Sequence, residues 1–84
     1  MKELTFEEFC ALPMELVMHI GGSKEHYLHR ANRKVGVSKI VITKVKNEYE
    51  FGKSSTIYIF DEITYLTPDQ VYLAYMKKAC GVTA

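Results

Sequence analysis

VSKIVITKVK, residues 37–46, is the most strand-like run in the chain, and its reading decides the fold. Six of its ten residues are β-branched, the type that suits a pleated, half-buried surface. As a strand it puts Val37, Lys39, Val41, Thr43 and Val45 on one face, and Ser38, Ile40, Ile42, Lys44 and Lys46 on the other. Toward the N-terminus Gly36 marks a break, and HYLHRANR (26–33) reads as a weakly patterned partner strand. GGSK (21–24) is a turn in which Gly21 and Gly22 are expected to supply positive φ. Before it, MELVMHI (14–20) alternates Met14, Leu16, Met18 and Ile20 against Glu15, Val17 and His19, the spacing of a strand. Toward the C-terminus NEYEFGKSS (47–55) reads as a hairpin connection with Gly52 near its tip. TIYIF (56–60) returns as a strand, and Asp61–Glu62 is a tight link into ITYL (63–66).

Both ends of the chain carry helix grammar. In LTFEEFCALP (4–13), Thr5 followed by Glu8 fits a capping box, and Phe6, Phe9 and Cys10 make one apolar face. Pro13 disfavours helix at Leu12, so this helix is about two turns long. In TPDQ (67–70), Thr67 is an N-cap, Pro68 opens the first turn and Gln70 stands at the third helical position. Val71, Tyr72, Tyr75, Met76, Ala79 and Cys80 then form a stripe at helical spacing that ends at Gly81, with Lys77 and Lys78 suited to the helix dipole. The expected fold is α+β: one domain spanning residues 1–84, an antiparallel meander of about four strands, and a helix at each end packed on one face. The other face is left to solvent or to a partner.

Composition limits what such a domain does. At 84 residues and 48% hydrophobic the chain folds as one small unit, burying roughly 60% of its unfolded surface. Its apolar runs fall far short of the roughly 20 residues of a membrane helix, so no membrane association is expected. MKELTFEEF has no apolar signal-peptide core, which points to the cytoplasm. Cys10 and Cys80 are expected to be reduced, buried packing residues. His26 and His29, three apart on a strand, point to opposite faces, with His19 within reach across a hairpin; no metal site and no cofactor are expected. There is no nucleophile elbow, phosphate loop or dinucleotide fingerprint, and the cysteines fall on the helix stripes, so no enzyme activity is expected.

Charge is the remaining signal. The net value of +1 conceals a split: residues 1–23 hold one lysine against four glutamates, whereas residues 24–53 hold six lysines and two arginines against three glutamates. From His26 to Lys46 there is no acidic residue at all. Arg30, Arg33, Lys34, Lys39, Lys44 and Lys46 are therefore candidates for steering toward an acidic surface, with Tyr49 and Phe51 as aromatic contacts at a hairpin end. Basic side chains interleaved with aromatics also suit single-stranded nucleic acid, although no RNP-like run appears and the pI of 7.8 is low for that class.

LTFEEFCALP at the front and YLTPDQVYLAYMKKACG at the back resemble the terminal helices of small accessory proteins encoded by bacteriophages and prophages. The resemblance is one of style over the whole chain, with no motif shared residue by residue. It implies stoichiometric, non-catalytic binding to a larger host protein or ribonucleoprotein complex in the host cytoplasm, in the manner of anti-CRISPR inhibitors. Many of those imitate nucleic acid with acidic surfaces, from which the basic centre of this chain departs. The expected function is thus inhibition or modulation of a larger complex by docking. Nucleic-acid binding through the basic strands is the alternative, and a homodimer is a further possibility.

Overall fold

The computed structural model describes residues 3–81. Its elements run α1 (Phe6–Cys10), β1 (Glu15–Gly21), β2 (Glu25–Asn32), β3 (Val37–Asn47), β4 (Glu50–Phe60), β5 (Ile63–Tyr65) and α2 (Pro68–Ala79). The strands form one antiparallel sheet in the order β1-β2-β3-β4-β5. The architecture is the α+β meander expected from sequence, with five strands in place of four. The additional strand is ITY, only three residues long, which pairs with the last three residues of β4.

The helix signals are realised closely. Thr5 Oγ1 accepts from the Glu8 amide at 3.1 Å while Glu8 Oε1 accepts from the Thr5 amide at 3.0 Å, a reciprocal capping box on α1. Thr67 Oγ1 accepts from the Gln70 amide, but the Gln70 side chain reaches one residue further, to the Leu66 amide. Both helices lie on the same face of the sheet. Phe9 of α1 and Val71 and Tyr75 of α2 enclose Val37 and Phe60, which face each other across β3 and β4. Val71 and Tyr75 are fully buried there. Phe9 stacks edge-on against Tyr72, whose hydroxyl donates to the Leu4 carbonyl at 2.7 Å and so fastens the two ends of the chain.

Turn chemistry departs from expectation at two places. Gly21 and Gly22 do not take positive φ; among the described residues Gly36 and Gly81 do, as the β2–β3 turn and the end of α2 require. Gly22 is needed for closeness, since a Cβ there would stand 3.0 Å from the Glu25 carbonyl oxygen. The β3–β4 hairpin is also tighter than NEYEFGKSS suggests. Its tip is Glu48–Tyr49, held by Asn47 Oδ1 accepting from the Tyr49 amide at 2.8 Å, and Gly52 lies inside β4 at an irregularity in the pairing. The tight Asp61–Glu62 link is present as expected, and both residues adopt positive φ, 53° and 67°, the geometry of a two-residue hairpin turn that Gly and Asn usually fill.

The β2–β3 turn is anchored by Asn32, one of the few buried polar residues. Its Nδ2 donates to the Pro13 carbonyl at 2.9 Å, and its Oδ1 accepts from the amides of Lys34 and Val35. This joins the segment entering β1 to the turn two strands away. The whole molecule is long and thin, 48 × 23 × 22 Å. Its radius of gyration of 14.6 Å exceeds the roughly 12 Å usual for a chain of this length.

Candidate binding faces of the sheet

Strand register sorts every side chain into cross-strand rows, and the two faces turn out chemically different. On the helix-bearing face one row reads Asn32, Val37, Phe60, Ile63, and the next reads Leu16, Arg30, Lys39, Tyr58, Tyr65. Beyond these lie His19, Leu28, Val41, Thr56, and then Gly21, His26, Thr43, Ser54. The helices cover only the first end of this face. The rest carries Arg30, Lys39 and two histidines, and none of these four rows contains an acidic residue. His19 and His26 approach to 6.0 Å between ring centroids, and Phe51 stacks edge-on against His26 at 5.0 Å. Among the described residues no group of three or more His, Cys, Asp or Glu is placed to hold a metal ion.

On the opposite face the rows are Met18, His29, Ile40, Ile57, then Ile20, Tyr27, Ile42, Ser55, then Glu15, Ala31, Ser38, Ile59, Thr64. The middle of this face is thus aliphatic and aromatic, with Glu15, Glu25 and Lys44 toward its rim. Neither helix lies over it. Ile40 is 4% exposed, yet it stands outside the core cluster under the helices; its neighbours in the sheet are what cover it. At the β1 edge Met18 and Ile20 remain 47% and 54% exposed. His29 places a ring nitrogen, Nε2, in this face without water access or a hydrogen-bond partner among the described residues.

The sequence-derived candidates do not converge on one surface. Arg30 and Lys39 are direct cross-strand neighbours on the helix-bearing face, where Phe51 also lies. Lys44 and Lys46 point the other way, both close to the backbone at Gly52, and Lys46 is paired with Glu50 at 3.2 Å. Arg33 and Lys34 sit in the β2–β3 turn beside the helices, while Tyr49, 94% exposed, marks the far end of the molecule. β3 alone separates these two ends by about 33 Å. A run without acidic residues in sequence is therefore not one basic patch in space. Of the aromatics the uncovered face keeps Tyr27, on the same face as Lys44 and Lys46, while Tyr58, Phe60 and Phe51 turn to the helix-bearing side.

The cysteines also correct the sequence reading, since both are exposed and free. α1 ends at Cys10 after only five residues, so the thiol projects past the packed stripe rather than into it. Cys80 is the C-cap of α2, and its thiol donates to the Glu3 carboxylate at 3.2 Å. That hydrogen bond, with desolvation and the carboxylate charge, raises the Cys80 pKa. Burial, helped by the nearby Cys10, raises that of Tyr58.

No family model, curated protein or solved structure matches this chain. The aliphatic face was missed from sequence as a unit, because its members come from four strands and gather only once the register is known. One signal was also misleading: β1 has a bulge between Leu16 and Met18, so Leu16 shares a face with Arg30 while Met18 and Ile20 share the other with His29 and Tyr27. Strict alternation had placed all three together.

Proposed function

We propose that this protein is a small non-catalytic binding protein that docks on a larger protein, or the protein part of a ribonucleoprotein, through the sheet face opposite its helices. The observation that carries the reading is the uncovered aliphatic face built by Met18, Ile20, Tyr27, Ile42, Ile57 and Ile59. The molecule exposes 6277 Å², against about 5,100 Å² for a folded monomer of 9.7 kDa. The surplus of about 1,200 Å² is of the order of the roughly 800 Å² each partner buries in a standard interface. An apolar centre bordered by Glu15, Glu25, Lys44 and Lys46 also has the anatomy of such interfaces. The resemblance to phage accessory proteins supports stoichiometric inhibition of a host complex as the consequence of docking.

Capture from a bacterial lysate by wild type, Ile42→Glu and Arg30→Glu tests the face rather than the mere presence of prey. A partner retained by wild type and Arg30→Glu but lost with Ile42→Glu supports the reading, and Lys44→Glu should slow association in low salt. Prey that ignores Ile42→Glu contradicts it. So does a wild-type chain that is a stable dimer and is made monomeric by Ile42→Glu, which would assign the face to a second copy.

A further inference from the structure

On the helix-bearing face Arg30 and Lys39 stand directly opposite each other on β2 and β3. Like charges in that position destabilise a strand pair. Among the described residues the ion pairs are Lys46–Glu50 and Lys78–Asp61, so neither Arg30 nor Lys39 is neutralised. Their row continues through Tyr58, a third hydrogen-bond donor, and contains no acceptor side chain of opposite charge. The two cations line a shared depression of about 210 Å³ floored by Leu28 and Val41.

Lys39 also forms the rim of a neighbouring cleft under α1. That cleft, of about 180 Å³, is walled by Phe9, Leu12, Met14, Val37 and Pro68, with the Tyr58 ring and the Cys10 thiol at its edge. An apolar cavity of about 150 Å³ holds one benzene ring. The apolar chamber and the paired cations are thus adjacent, joined at one half-buried lysine.

We infer that this cleft binds a small organic carboxylate with an apolar body the size of one aromatic ring, the carboxylate lying between Arg30 and Lys39 and the ring among Phe9, Leu12, Met14 and Val37. The anion supplies the charge that the Arg30–Lys39 pair lacks. A bare anion would gain the cations but leave the chamber empty, while a neutral aromatic would fill the chamber but leave the cations opposed. The carboxylate and ring together satisfy both. This site is separate from the docking face, so it stands or falls independently of the proposed function.

The test is a two-dimensional amide NMR titration of the full chain with benzoate, phenylacetate, benzyl alcohol and acetate. Benzoate or phenylacetate should shift the amides around Val37, Lys39, Tyr58 and Phe9 in a saturable way, with acetate and benzyl alcohol at least about tenfold weaker. Lys39→Met should weaken the aryl carboxylate by about tenfold or more, and should raise the melting temperature of the unliganded protein by removing the like-charge opposition. The second readout matters because a variant that merely misfolds would melt lower. Three results overturn the inference: no saturable shift with either aryl carboxylate, acetate binding as tightly as benzoate, or shifts centred away from this cleft. An oligonucleotide that binds through Arg30 and Lys39 while benzoate does not would instead assign the pair to nucleic-acid phosphate.

Discussion

Replacing Val71 by Ala, with Leu73→Ala as its companion, measures how the terminal helix is seated. The two residues are two positions apart on α2, yet Val71 is fully buried against the sheet and Leu73 is 59% exposed. Val71→Ala removes two methyl-sized groups, worth about 0.8 kcal/mol each in transfer from water. The void they leave, on the order of 50 Å³, adds up to about 1.2 kcal/mol if the surroundings do not relax. The expected loss is therefore about 1.5–3 kcal/mol, a large part of the total of about 4–13 kcal/mol open to a chain of this length. Leu73→Ala loses little burial and keeps a good helix former, so it should cost about 0.5 kcal/mol or less. Urea denaturation followed by circular dichroism gives both values as shifts in midpoint at constant slope. Equal costs for the two substitutions, or a Val71→Ala loss below about 0.5 kcal/mol, would refute the packing of α2 and with it the assignment of which sheet face is covered.

Glu62→Gly should stabilise the protein by roughly 0.5–1 kcal/mol, because a left-handed non-glycine residue costs about 1–2 kcal/mol and glycine returns about half of that as chain entropy. The substitution leaves the Asp61–Lys78 ion pair in place, and a lower melting temperature would show that the turn is not strained at this position. Cys80, whose pKa is raised chiefly by its hydrogen bond to Glu3, should carry less thiolate than a free thiol near pH 8 and alkylate correspondingly slowly. Glu3→Gln should speed that alkylation, as read by mass spectrometry of the modified peptide; an unchanged rate would remove the Glu3 contact from the account.

The fold was largely legible because its signals are local. Thr5 with Glu8, and Thr67 with Pro68, name the helix starts within four residues, and the β-branched run at 37–46 names the central strand. What was not legible depends on pairing. The bulge in β1 moves Leu16 to the opposite face from Met18, and no residue in MELVMHI announces it. The outer part of β4 reads as a loop because Lys53, Ser54 and Ser55 are polar, yet they continue the strand, and Thr43 and Ser54 meet hydroxyl to hydroxyl at 2.9 Å across it. The candidate basic site failed to assemble for the same reason. Charges scattered along β2, β3 and their turns alternate between faces and ends, so Arg30–Lys39 and Lys44–Lys46 gather on opposite faces and Arg33 and Lys34 in a turn apart from both. The exposure of Cys10 and Cys80 was hidden because each falls at the very end of its helix, Cys10 as the last residue of α1 and Cys80 as the C-cap of α2.

The central claim is that one face of the sheet is covered by both helices and the other, aliphatic, is bare in the isolated chain. Methyl NMR with a soluble paramagnetic relaxation agent tests it most directly, at a concentration where sedimentation shows a monomer. The account predicts strong broadening of the Ile20 methyls, in the range of exposed Leu73, and intermediate broadening of the half-buried Ile42, Ile57 and Ile59 methyls, while Val37 and Val71 stay protected. Isoleucine methyls as protected as Val71 would mean that this face is already closed, and would contradict a docking surface there.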